Sequence, residues 1–140
     1  MSQENVETFK RGLDAYNRRD IDALMETLDP DVEWHPALAV LLGGERTVFR
    51  GHQGVRESIQ EEDEALAMYQ FELSEIRDLG NKVLAIGRIY ARGKESGVEI
   101  DSAFCALTES RGTKGKDTRA ISLRTYFDLE KALEAAGLRE

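Results

Sequence analysis

Cysteine, proline, basic residues and long apolar runs are all scarce in this chain. A single cysteine, Cys105, stands in 140 residues, which excludes an intrachain disulfide and the repeated ligand spacing of a zinc finger. The longest apolar run, Ala37–Leu42, is six residues, whereas a membrane-spanning helix needs about 20. The chain carries 19 basic residues against 27 acidic ones, for a net charge of −8. That balance argues against nucleic acid as a partner, since such binding needs a clustered basic face. Met1–Asn5 shows neither the basic nor the apolar segment of a secretion signal, which predicts cytoplasmic residence. No H-x-x-x-H spacing, facial triad, phosphate-cradling loop or dinucleotide fingerprint occurs, so no metal and no cofactor are expected.

Hydrophobic spacing supplies the elements. Val6, Phe9, Leu13 and Tyr16 recur at helical intervals and predict a first amphipathic helix. Asp20 stands as an N-cap for a second short helix carrying Ile21, Leu24, Met25 and Leu28, with Asp29-Pro30-Asp31 ending it. Val32–His35 alternates like a short strand stopped by Pro36. Residues 37–49 read as an irregular loop and Arg50–Gly54 as a turn. Val55, Ile59 and Leu66 support a third helix over 55–67, whose acidic middle, Glu61 to Glu64, is predicted to face water.

The second half alternates as strands. Four are predicted, over 69–79, 82–92, 98–108 and 118–128, separated by Gly- and Lys-bearing turns. A final helix over 129–136 is capped by Asp128, with Gly137 at its C′ position. This order predicts one α+β domain over 1–140: an antiparallel meander curling around helices and leaving a hollow between them.

Several stretches together resemble the SnoaL-like group of the NTF2-like superfamily. Phe9–Leu28 is similar to its opening helix pair and Asp29–Trp34 (DPDVEW) to its first strand. Phe49–Arg56 (FRGHQGVR) is similar to the loop before its third helix, and Arg124–Leu138 to its last strand and tail. The resemblance implies a cone-shaped α+β barrel around an apolar pocket, often paired as a homodimer through the outer sheet face. It does not imply one reaction: polyketide cyclases, ketosteroid isomerases, limonene-epoxide hydrolases, dehydratases and members without known activity share the fold. The turn Glu109–Asp117 is longer than the family's usual D-G-K turn, which leaves the sheet faces of Thr118–Leu123 open.

Active relatives use a pocket carboxylate or histidine as base, with polar groups stabilising an oxyanion. Asp101, in the mostly apolar run VEIDSAFCAL, is the expected general base; a charge at the strand edge, in water or paired with an arginine, is its alternative. His35, next to Trp34 and Pro36, is the second catalytic candidate, against a loop histidine bonded to backbone. Arg88 and Arg124 could bind a substrate oxygen or form ion pairs at the surface or a dimer interface. Trp34, Tyr16, Phe49, Tyr90 and Tyr126 are candidate pocket linings that could equally be core. His52 reads as a surface or capping residue. The expected function is cofactor-free isomerisation, cyclisation, elimination or hydrolysis of a small apolar molecule bearing a carbonyl, hydroxyl or epoxide. The alternatives are a binding module or a dimerisation domain without activity.

Overall fold

A computed structural model describes residues 3–37 and 47–138. Two helices open the chain: α1 (Gln3–Arg18) and α2 (Ile21–Met25). Asp20 caps α2, its carboxylate accepting from the Ala23 amide at 3.2 Å. Strand β1 (Leu28–His35) and the short β2 (Phe49–Arg50) precede helix α3 (Gly51–Ala65). Then come β3 (Leu66–Asp78), β4 (Lys82–Gly93) and β5 (Glu99–Ser110), a 3-10 turn (Gly115–Thr118), β6 (Ala120–Tyr126) and helix α4 (Leu129–Ala135).

The strands form one curved, unclosed sheet in the order β2-β1-β6-β5-β4-β3. Strands β3 to β6 make the predicted antiparallel meander, and β1 adds to it parallel to β6. Bulges bend β3 between Leu66 and Met68 and again between Leu73 and Glu75, which increases local twist. Beside the second bulge the two backbones approach so closely that a Cβ on Gly87 would lie 2.0 Å from the Glu72 carbonyl oxygen.

Four differences from the sequence reading are structural; in one, Leu66, read as part of the third helix, opens β3. The first strand begins at Leu28 and runs through Asp29-Pro30-Asp31. Its pairing with β6 shifts register between Leu28 and Glu33, where a proline can sit without breaking the ladder. Helix α3 starts at Gly51, within the predicted turn; Gly51 adopts φ +72°, a value that glycine accepts without strain. Thr118 belongs to the 3-10 turn, and β6 begins at Ala120. Of the loop expected over 37–49, residues 38–46 lie outside the described residues.

The core has two sides. On the inner, concave face, α1 packs against Phe71, Ala85, Ile89, Phe104 and Ala106. Helices α2 and α3 close one end through Leu24, Met25, Val55 and Ile59 against Val32, Trp34 and Phe49. On the outer face, α4 covers Leu84, Cys105 and Leu107 with Ala132 and Leu133. Asp128 caps α4 by accepting from the Glu130 amide at 2.8 Å, and Gly137 follows it at φ +77°. Among the described residues no helix is long and apolar enough to cross a membrane.

Candidate functional site

Between α1 and the concave sheet lies a mostly apolar cavity that leaves about 80 Å³ for the centres of water-sized molecules. Helix α1 forms its long wall: Asn5, Thr8, Phe9, Gly12, Leu13 and Tyr16 face it in succession. Helical spacing puts these residues on one stripe. Phe71, Val83, Phe104 and Ala106 of the sheet form the opposite wall, and Trp34 and Glu62 close the end nearest Tyr16. Gly12 keeps the wall flat, because a Cβ there would meet Thr27 Oγ1 at 2.7 Å.

Glu62 is the carboxylate of this cavity. It lies on the buried stripe of α3 that carries Val55, Ser58 and Ile59, and only 3% of its surface is exposed. The Tyr16 hydroxyl donates to Glu62 Oε1 at 3.0 Å. Burial pushes the Glu62 carboxyl up to about 7; the Tyr69 and Tyr16 hydroxyls and the Arg19 cation act in the opposite direction without cancelling it. Burial also raises both Tyr16 and Tyr69 above the ordinary phenol range, and the neighbouring Glu62 adds to the effect. Both phenols therefore stay protonated as donors.

Arg19 organises the back of the site. Among the described residues it is the non-glycine residue at positive φ, +62°. Its guanidinium donates to the Tyr16 and Tyr69 carbonyls. It also stacks 3.3 Å from the Tyr69 ring centroid and reaches Asp63 Oδ1 at 3.4 Å. These contacts hold a backbone conformation that costs energy for a residue with a Cβ.

Trp34 completes this end. Its ring lies 6.4 Å from that of Tyr16, and its indole Nε1–H is buried without a hydrogen-bond partner among the described residues. An unpaired buried donor next to an apolar cavity is available to an oxygen bound there. A carboxyl that titrates near neutrality beside such a donor can move a proton to or from carbon while the donor stabilises the negative oxygen.

The sequence candidates divide. Tyr16 and Trp34 come together at Glu62. Phe49 is fully buried in the core behind them. Asp101 lies outside the cavity: it is exposed on the outer sheet face, where its Oδ1 takes Arg88 Nη2 at 2.8 Å. Tyr90, opposite Asp101 in the β4–β5 ladder, shares that face. The cause is strand alternation: Phe104 and Ala106 point into the cavity, so Asp101, an odd number of residues away, points out. His35 lies outside this cavity as well and pairs with Glu33 at 3.2 Å. His35, Arg124 and Tyr126 line an open second hollow that shares Pro36 and Thr125 with the first. His52 bonds the Leu28 carbonyl at 2.9 Å.

Glu62 itself is the residue missed. The predicted solvated run contains it, and its neighbours Glu61 and Glu64 are exposed, but the 3.6-residue period turns Glu62 inward. The signal was present: Glu62 falls three residues after Ile59 and four before Leu66, both named as buried positions. Among the described residues no group of three or more His, Cys, Asp or Glu could hold a metal.

Comparison with known proteins agrees with this fold. Residues 9–123 match the family of SnoaL-like domains. No curated protein sequence matches. Among solved structures, an NTF2-like protein of unknown function from Burkholderia pseudomallei superposes with a TM-score of 0.75 at 22% identity, over 94% of this chain and 95% of the other. TerC, co-crystallised with polyporic acid, gives a TM-score of 0.75 at 23% identity, over 96% and 98% of the two chains. A Catenulispora acidiphila protein with a ketosteroid isomerase-like fold, in complex with trimethylamine, gives 0.70 at 15% identity over 94% and 93%.

Proposed function

This chain belongs to the SnoaL-like domain family, and we propose that its cavity performs cofactor-free proton transfer on a small, largely apolar carbonyl compound. Glu62 is the base, Tyr16 orients it, and Trp34 Nε1–H receives the developing oxyanion. The carboxylate removes a proton from the carbon next to the carbonyl, the electron pair moves to oxygen as an enolate, and protonated Glu62 returns the proton to carbon. Net isomerisation follows when the proton returns to a different carbon; cyclisation follows when the enolate carbon instead bonds to a second carbonyl carbon of the same molecule, whose oxygen takes the proton from Glu62. The observation that carries this reading is a buried carboxyl whose pKa stands near 7, hydrogen-bonded to Tyr16 in an apolar cavity. This moves the expected base from Asp101 to Glu62.

The test is deuterium uptake at the α-carbon of methyl ketones in D2O, followed by NMR, with 4-acetylbiphenyl as the first probe. The intact protein accelerates exchange, and Glu62→Gln lowers that rate by about 10²-fold or more. Exchange that Glu62→Gln leaves unchanged would overturn the reading. Saturable binding without exchange would favour the second reading, a ligand-binding module; its support is that Glu62 is the only carboxylate among the described residues lining the cavity.

Cytoplasmic residence and a homodimer belong to the same proposal. The dimer would use the outer sheet face around Arg88, Tyr90 and Asp101, since the apolar part of that face near Leu84 and Leu107 is already covered by α4.

A further inference from the structure

The end of the cavity far from Glu62 holds a second feature that the proton-transfer chemistry does not use. Asn5, on the first turns of α1, lines the cavity and is only 4% exposed. Its Nδ2 donates to the Gly80 carbonyl at 2.7 Å and to the Gly112 carbonyl at 3.1 Å. Both partners are acceptors, so the orientation of the amide is fixed: a flipped group would place oxygen against oxygen. Its Oδ1 is thereby left buried with no donor among the described residues.

Neighbouring hydroxyls do not answer it. Ser110 donates to the Gly112 carbonyl of its own turn and to the Asn81 carbonyl of the β3–β4 turn. Thr8 donates to Thr118 Oγ1 at 2.9 Å, and Thr118 donates on to the Gly115 carbonyl. An unmet buried carbonyl costs about 1–3 kcal/mol. A donor supplied by a bound molecule removes that cost.

The two ends are therefore chemically opposite. Among the unpaired buried groups, the one lining the cavity at the Tyr16 end is a donor, Trp34 Nε1–H, and the one at the other end is an acceptor, Asn5 Oδ1; the unpaired Tyr69 hydroxyl, near Tyr16, does not line the cavity. Asn5 and Tyr16 are eleven residues apart on one helix, about 16 Å along its axis. Between them the walls are mainly apolar, with Phe9, Leu13, Phe71 and Phe104.

We propose that this cavity selects an elongated apolar ligand with a hydrogen-bond acceptor at one end and a hydroxyl or N–H donor at the other, Asn5 Oδ1 being the anchor for that donor. This rests on the proton-transfer reading only for the direction in which the ligand lies, carbonyl toward Glu62. A site built to pair a ligand hydroxyl discriminates strongly against the analogue lacking it, because the buried protein group is left unpaired.

The experiment compares three rods by calorimetry: 4-acetyl-4′-hydroxybiphenyl, 4-acetylbiphenyl and 4-acetyl-4′-methoxybiphenyl. The hydroxyl compound binds about tenfold or more tightly than the unsubstituted one, and the methoxy compound, which offers no donor, binds no better than the unsubstituted one. The preference persists in Glu62→Gln, which shows that the hydroxyl is not paired with the carboxylate, and disappears in Asn5→Leu. Where Asn5→Leu fails to fold, the ligand series on the intact protein and on Glu62→Gln decides. Equal affinities across the series, a methoxy compound as tight as the hydroxyl, a preference lost in Glu62→Gln, or no binding of any member would each overturn the anchor. Failure of the two readings looks different: exchange at the acetyl group without hydroxyl preference removes the anchor alone, and hydroxyl preference without exchange removes the proton transfer alone.

Discussion

The Tyr16 hydroxyl, at the end of the first helix, donates to the carboxylate of Glu62, in the last turn of the third, at 3.0 Å. This bond ties two elements 46 residues apart and fixes the carboxylate at the cavity wall. Tyr16 also packs against both inner core clusters, so the polar contact sits where the two halves of the interior meet.

Removing that hydroxyl has a definite sign. The hydrogen bond favours the charged form of Glu62, so Tyr16→Phe moves its pKa upward from about 7. NMR titration of the side-chain carboxyl, assigned by its absence in Glu62→Gln, is expected to show the midpoint rise. A fall would mean that Tyr16 opposes ionisation.

Glu62 also makes stability depend on pH. Its folded-state pKa, about 7, lies above the model-peptide value of 4.5. The native state therefore binds the proton more tightly than the unfolded chain does. The resulting stabilisation is fully present below pH 4.5 and is lost as pH rises through about 7. The shift corresponds to about 3 kcal/mol. Urea midpoints of the protein relative to Glu62→Gln are expected to fall between those two values and level off above; a constant difference would contradict the buried carboxyl.

Asp101→Asn is expected to leave ketone exchange unchanged. The carboxylate is exposed and its Arg88 pair is a surface ion pair, so stability changes little. Stability by chemical denaturation and exchange by NMR check both statements.

Gly87→Ala is expected to destabilise the sheet by about 1–3 kcal/mol, since the added methyl meets the Glu72 carbonyl, which cannot move without breaking the β3–β4 ladder. A melting temperature equal to that of the parent would contradict this packing.

Light scattering at micromolar concentration tests the proposed pairing through the outer sheet face. The dimer predicts twice the mass of one chain; a single-chain mass would contradict it.

The meander was legible because its signals are local. Alternation in Lys82–Gly93 and Glu99–Ser110, with turn residues between, determines strand pairing without long-range information. The inner stripe of α1 was legible through Phe9, Leu13 and Tyr16. What alternation cannot give is which face of a strand looks inward. Asp101 shares its face with Cys105 and Leu107, an apolar set that suggests an interior. That face is apolar because α4 folds back over it from the far end of the chain, and the cavity lies on the other side. Glu62 was hidden for a related reason. A run of four acidic residues suggests solvent, yet one position in a helical turn must follow the stripe set by Val55 and Ile59. Asn5 carried no signal in sequence, because its role depends on two carbonyls, of Gly80 and Gly112, that the fold brings from distant turns.

The most direct test of proton transfer by Glu62 is the pH–rate profile of deuterium uptake into 4-acetylbiphenyl. The base must be ionised, so the account predicts a rate that climbs with pH through a midpoint near 7 and a Glu62→Gln variant in which that climb is absent. A profile without a midpoint near neutrality, or one that Glu62→Gln reproduces, would contradict it.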